Sequence, residues 1–251
     1  MPLTWNWDVV RNQMAERFNA MIERHGGVGV ASDESVSGGF GEVSVHDGFA
    51  RYVYAAALFN FEKDGGYRHI TYRLKYGRDL AEGRFFAAML GERLAGTEIY
   101  SDVDVVVPVP LHWTRRMRRG YNQAEIIAAE LAEALGAKLE TGILVRNRRT
   151  STQTKLGIEE KARNVSGAFA LNRRFIRHYD SVSESRTFQG RDSYDGSTQE
   201  LHDSTNGRVV NHILLVDDVF TTGSTLYNCW RPLHEFFGPS VRISIATLGV
   251  V

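Results

Sequence analysis

Ile213-Leu-Leu-Val-Asp217-Asp218-Val-Phe-Thr221-Thr222-Gly223-Ser224-Thr225 divides into three parts with different physical demands. Residues 213–216 are four apolar β-formers, the composition of a strand buried on both faces. Asp217 and Asp218 stand at the C-terminal end of that run, the end beyond which open α/β sheets bind their ligands. Thr221, Thr222 and Gly223 then form a turn of small residues that opens a helix at Ser224 and Thr225. The first N–H groups of that helix have no partner inside it, and the positive end of its dipole lies there. Four hydroxyls add donors, and Gly223 lets the backbone approach a ligand closely.

Such a turn can cradle one phosphate monoester, and two carboxylates beside it can accept hydrogen bonds from sugar hydroxyls. A 5-phosphoribosyl group makes both demands. The plainer alternative is a pair of aspartates capping a helix beside an ordinary turn. The full thirteen-residue pattern in a strand–turn–helix setting favours the phosphate reading over a short motif match alone.

Working outward, the flanking chain alternates strand and helix. The run 103–109 is short and β-branched, and a helix is predicted over 122–135 with Gly136 closing it. A short apolar run at 142–145 follows. After the central motif a helix is predicted over 224–237 and a last strand over 241–250. Nearer the N-terminus, Val10, Met14, Phe18, Met21 and Ile22 make the apolar stripe of a helix over 5–24 that Gly26 and Gly27 end. Residues 26–48 read as a glycine- and serine-rich loop, 52–61 as a strand, and 68–76 and 80–95 as helices. The expected fold is α/β, a central, mainly parallel sheet flanked by helices. The polar stretch 173–206 is expected to be an exposed insertion, mobile or folded as a surface hairpin.

Composition narrows the classes of function. The 251 residues suffice for one core, or for one core with a small appendage. Lysine plus arginine and aspartate plus glutamate number 30 each, so no basic coat covers the whole molecule, and any nucleic-acid site must be a local patch. One cysteine, Cys229, excludes an intramolecular disulfide and a CxxC zinc site. Within an apolar helix its default role is a buried, inert thiol. The histidines show no ligand spacing, so no metal site is expected from the protein alone. No apolar run nears the roughly 18 residues that span a bilayer, and the N-terminus does not read as a signal peptide. A cytoplasmic protein without membrane insertion is expected.

Two further segments carry charge suited to an anionic ligand. In PVPLHWTRRMRRGY, residues 108–121, Arg115, Arg116, Arg118 and Arg119 crowd into five positions before a helix. A leaving group with several negative charges needs fixed cations of this kind, although a basic run is as readily a solvated loop. His112, beside these arginines, is either packed or in reach of a ligand. In RNRRTSTQTKLGIEEKARN, residues 146–164, three arginines in four positions precede a chain poor in large apolar residues. Its alternative is an exposed linker.

With these blocks in place, the central motif resembles the phosphoribosyl pyrophosphate (PRPP) signature of type I phosphoribosyltransferases. From about residue 68 onward the chain is similar to one branch, the ComF (competence protein F, GntX-like) family. The match is carried by RLKYG at 73–77, VPVPLH at 107–112, RGYNQAE at 119–125, Gln153 with Leu156, RNVSGAF at 163–169, and the PRPP motif itself. The resemblance implies the type I phosphoribosyltransferase fold over 67–251, with a small hood-like region over 1–66. It assigns ribose contacts to Asp217 and Asp218, and the 5-phosphate to Thr221, Thr222, Gly223, Ser224 and Thr225. The pyrophosphate loop falls on Pro110, Leu111, Arg115, Arg116 and Arg119. A flexible loop that closes over the ligand falls on Gln153, Arg163 and Asn164.

The implied activity is transfer of the 5-phosphoribosyl group from PRPP to an unidentified nitrogen nucleophile with release of pyrophosphate. Mg2+ is the implied cofactor, held largely by PRPP and water near Asp217 and Asp218. The family's biological role, competence and DNA uptake, implies an alternative: a catalytically idle member that binds single-stranded DNA or a helicase-like partner. Two departures stand out. The four-cysteine zinc ribbon that begins many family members is missing, and the 173–206 insertion is longer than the usual connection. Glutamine-dependent amidophosphoribosyltransferases share the motif but use an N-terminal cysteine, whereas Cys229 lies deep in the chain.

Overall fold

In a computed structural model the described residues are 13–24, 53–60, 80–147, 167–177 and 210–251. Five strands form one parallel sheet: β1 (Ala55–Asn60), β2 (Val105–Pro108), β3 (Lys138–Leu139), β6 (His212–Phe220) and β7 (Arg242–Val250), in the order β1-β7-β6-β2-β3. Two short strands, β4 (Leu144–Arg146) and β5 (Phe169–Leu171), pair antiparallel in a separate ribbon. The apolar run at 142–145 thus leaves the main sheet, where Lys138–Leu139 takes the edge beside β2 instead. The fold is α/β with helices on both faces, consistent with the type I phosphoribosyltransferase-like fold.

Strand alternation sorts the core into two layers. On one face Ala57, Val105, Val107, Ile213, Leu215, Ile243 and Ile245 pack against α1 (Gln13–Arg24) and α5 (Ser224–Phe237). On the other, Leu58, Val106, Leu214, Val216, Ala246 and Leu248 meet α2 (Leu80–Ala95) and α4 (Gln123–Leu135). α3 (Trp113–Arg119) joins β2 to α4. The central strands are apolar on both faces because helices cover both. Helices α2 and α4 cross at Gly91, where a Cβ would lie 2.6 Å from the Cβ of Ala134, so only glycine lets the two axes come this close.

The helix over 80–95 and the helix starting at Ser224 match the sequence reading, as does α4 with Asn122 before it and Gly136 after it at φ 63°. α1 begins at Gln13, and the earlier part of the helix expected over 5–24 lies outside the described residues, as do 26–48 and 68–76. β1 joins the sheet and α1 the core formed by the other described elements, and Asn19 bridges the backbone N–H and carbonyl of Val53 at 2.9 Å each. At the start of the polar stretch, residues 173–177 are a helical turn, and Phe175 packs on Phe236 and Phe237 with ring centroids 6.1 and 6.2 Å away. A half-buried aromatic there overrides the polar composition around it. The remainder of 173–206 lies outside the described residues.

At the N-terminal ends of β6 and β7, opposite the end that carries Asp217 and Asp218, a polar cluster is locked into the core. His212 Nδ1 donates to Asp102 at 2.9 Å, since a carboxylate only accepts, and Nε2 accepts from the Ser244 hydroxyl at 2.8 Å. Arg242 also binds Asp102. The order Ser–His–Asp is that of a hydrolase triad, but Ser244 and His212 are fully buried, so no substrate reaches the hydroxyl and the cluster is structural. Burial and the Arg242 charge push His212 down to about 4 against the opposing pull of Asp102.

The ordinary histidine value is near 6.5, so between pH 6.5 and 4 the unfolded chain binds a proton that the folded chain refuses. The contribution of His212 to stability is therefore full above pH 6.5 and falls as pH drops toward 4, by about 2 kcal/mol at pH 5. Denaturant unfolding at pH 7.5 and 5, compared with His212→Gln, checks this. The variant is expected to lose that part of the acid sensitivity.

Candidate phosphoribosyl site

The site sits where the crossovers diverge. From β2 the chain passes through α4 on one face to β3, and from β6 through α5 on the other face to β7. Between the C-terminal ends of β2 and β6 the two connections part, which makes this the topological switch point, the place where open α/β sheets bind their ligands. Pro108 pairs with Val216, and the N–H of Val109 donates to the Val216 carbonyl at 2.8 Å. The segment after β2 therefore starts beside Asp217.

The strand β6 runs further than the apolar composition suggests. Asp217 and Asp218 lie within it, Asp217 paired with Thr247, and pairing with β7 continues to Phe220. Asp217 is half-buried and Asp218 is 9% exposed, and Asp217 Oδ1 accepts from the N–H of Asp218 at 2.8 Å. The two carboxylates are thus held by a sheet rather than by a turn, which fixes them more firmly.

Next comes the turn. Thr221 is exposed and Thr222 half-buried, and the Thr222 hydroxyl lies 3.0 Å from that of Ser224. Gly223 has φ 79° and no side chain capping α5. A Cβ at Gly223 would sit 2.9 Å from Phe220 Cζ and 3.2 Å from Met21 Cε. Left-handed backbone and close neighbours both require glycine here. α1 braces this turn from the side: Arg17, exposed, donates to the carbonyl of Thr221 and to that of Val251 at 2.6 Å, and its guanidinium lies 5.0 Å over the Phe220 ring.

The arginine-dense segment after β2 is not a loop throughout. His112 Nδ1 accepts from the N–H of Thr114 at 3.3 Å and caps a short helix, and Gly120 at φ 86° ends it. His112 is buried as this cap, so it serves α3. Pro110 and Leu111 are half-buried at the helix entrance. Arg116 forms an ion pair with Glu125 of α4 at 2.8 Å, and Arg119 donates to Gln123 at 3.2 Å. Arg115 is half-buried.

One residue draws the segments together. Arg146, at the end of β4, stacks over Phe169 at 4.9 Å. Burial and the positive charge of Arg115 push its guanidinium below the ordinary value, while Asp217 pulls it back up. Arg146, Arg115 and Asp217 therefore lie close enough to influence one another's charge, which relates the β4 segment, the segment after β2 and the 217–225 motif. Cys229 lies behind them, wholly buried, and burial together with the Asp217 charge raises its thiol well above the ordinary value, as expected of an inert thiol.

The sequence reading did not single out Arg17 or Arg146. Arg146 had one weak signal, its place at the head of a basic cluster, and Arg17, on the polar side of an amphipathic helix, had none. Gln153, Arg163 and Asn164 lie outside the described residues. Among the described residues, no group of three or more histidine, cysteine, aspartate or glutamate side chains is placed to hold a metal ion. Asp217 and Asp218 alone fit Mg2+ only as partial ligands, with the remaining oxygens coming from substrate and water. No helix among the described residues is long and apolar enough to cross a membrane.

The chain is similar to competence protein F of Haemophilus influenzae, 31% identical over 140 residues, which is 56% of this chain and 48% of that protein. It is also similar to the DNA utilization protein YhgH of Salmonella typhimurium, 28% identical over 156 residues, 62% of this chain and 53% of that one. The YhgH protein of Escherichia coli K12 is 30% identical over 123 residues, 49% and 40% of the two chains. The chain thus spans about half the length of the curated relatives it matches. No family model matches it. These relatives support the resemblance to the ComF family.

Proposed function

We propose that this relative of competence protein F binds PRPP at the switch point between β2 and β6, and transfers its 5-phosphoribosyl group to a nitrogen nucleophile with release of pyrophosphate, in support of DNA utilisation. The observation that carries the reading is the adjacency of two sheet-held carboxylates, Asp217 and Asp218, to an amide- and hydroxyl-lined turn at the switch point of the sheet.

In this reading the 5-phosphate rests on the N–H groups and hydroxyls of residues 221–225, where the α5 dipole favours an anion. Asp217 and Asp218 accept hydrogen bonds from the ribose hydroxyls. As the anomeric C–O bond breaks, positive charge grows on the ribose and negative charge on pyrophosphate. The carboxylates face the former, and Arg115 and Arg146 the latter. Asp217 and Asp218 would also hold Mg2+, which supplies charge neutralisation at the leaving group. The resemblance adds Arg116 and Arg119 to the pyrophosphate side and Gln153, Arg163 and Asn164 to a closing loop.

A magnesium-dependent assay of PRPP consumption and pyrophosphate release tests this. PRPP bound but never turned over would instead make the protein a PRPP sensor. The second reading is direct binding of single-stranded DNA, which the exposed cationic helix α3 favours.

A further inference from the structure

The helix α3 has the sequence WTRRMRR, and none of its seven residues is buried. Trp113 is 64% exposed and Met117 77% exposed, the largest apolar side chains that the helix carries. Positions four apart lie on one face of a helix. Arg116 and Arg118, both exposed, flank this apolar pair, whereas Arg115 and Arg119 are half-buried toward the other side of the helix, which contains no acid. In a chain with zero formal net charge, four cations in seven residues are a local concentration.

The exposure is not an accident of a loose loop. The His112 cap and the left-handed Gly120 fix both ends of the helix. The Trp113 ring rests at a tilt against His112, with centroids 5.8 Å apart. Leaving an indole in water forfeits its burial energy, about 1.5–3 kcal/mol for a large apolar side chain. A pinned, exposed indole is therefore free to receive a planar partner.

We infer that this face of α3 is a platform for single-stranded nucleic acid, with a base stacked on Trp113, Met117 filling the space beside it, and the exposed guanidiniums of Arg118 and Arg116 holding backbone phosphates. A flat ring among forked cations fits a chain that presents bases and phosphates in alternation. The bases of a duplex are stacked away from such a ring, so the surface selects single strands. An acidic protein segment would match the charge but leave the indole without a planar partner. The inference rests on the DNA-binding reading above, and names its contact surface. It does not depend on the phosphoribosyl site.

Fluorescence anisotropy with a labelled oligothymidylate, and with a duplex of equal length, tests it on the full chain. Wild type is expected to bind the single strand more tightly than the duplex. Trp113→Ala should weaken single-strand binding about tenfold, and Trp113→Phe should restore most of it. Arg118→Ala should weaken binding and flatten its dependence on salt. Because α3 buries none of its side chains, all three variants should unfold at the wild-type temperature. Wild type that binds no oligonucleotide would overturn the DNA reading together with this inference. Wild-type binding that Trp113→Ala leaves unchanged would overturn the inference alone. So would equal binding of the duplex, or displacement by polyglutamate as effective as by unlabelled oligonucleotide, which would mark α3 as a docking face for an acidic protein.

Discussion

Asp217→Asn combined with Asp218→Asn is expected to weaken PRPP binding in the presence of Mg2+ by about a hundredfold or more, and to abolish any pyrophosphate release. Hydrogen bonds to charged groups are worth about 1.5–3 kcal/mol each, and the double variant removes both charges at once. The fold should survive. Asparagine keeps the shape of aspartate and an Oδ1 that can accept the Asp218 N–H, the 2.8 Å contact seen within β6. The register with β7, from His212 opposite Arg242 to Phe220 opposite Val250, depends on main-chain bonds that the substitution leaves alone. Isothermal titration with PRPP and Mg2+, beside a thermal melt, separates lost binding from lost folding. Unchanged affinity would mean that the carboxylates do not face the ligand.

The second large effect is expected at Gly223. Gly223→Ala places a Cβ at φ 79°, where L-residues are strained, and 2.9 Å from the Phe220 ring. Backbone strain and overpacking each cost of the order of 1–3 kcal/mol. The ring cannot swing away freely, because Arg17 lies over it, and Met21 Cε crowds the added Cβ from another side at 3.2 Å. The turn must shift instead, and its amides with it. Affinity for ribose 5-phosphate is expected to fall at least about tenfold, with a lower melting temperature. Gly120→Ala is the control: it is also left-handed, at φ 86°, but nothing lies within 4 Å of the added Cβ. It should lose some stability and leave ribose 5-phosphate binding intact.

These two positions also mark how far the sequence could be read. The apolar run 213–216, the aspartate pair and the glycine before Ser224 gave the strand, the turn and the start of α5 in the right places, because each is a local preference. The extension of β6 to Phe220 was hidden, because it comes from pairing with Thr247–Val250, far along the chain. α3 was read as part of a loop for a related reason. A helix is recognised by its apolar stripe, and a helix with no buried face has none. Its ends are set instead by a histidine side chain and a left-handed glycine. The convergence of Arg146 with Arg115 and Asp217 depends on the ribbon of β4 and β5, whose strands are only three residues long. Nothing periodic announces an element that short. The bracing of the 221–223 turn by Arg17 crosses more than two hundred residues of chain, a relation only the folded molecule makes visible.

The most direct test of the central claim is a calorimetric titration of the unmodified protein with ribose 5-phosphate. One molecule is expected to bind per chain, to be displaced by inorganic phosphate at higher concentration, and to be lost in Gly223→Ala. Ribose without its phosphate should not bind measurably. No heat and no thermal shift at millimolar ribose 5-phosphate, or binding that Gly223→Ala leaves intact, would contradict the placement of a phosphate ester on residues 221–225.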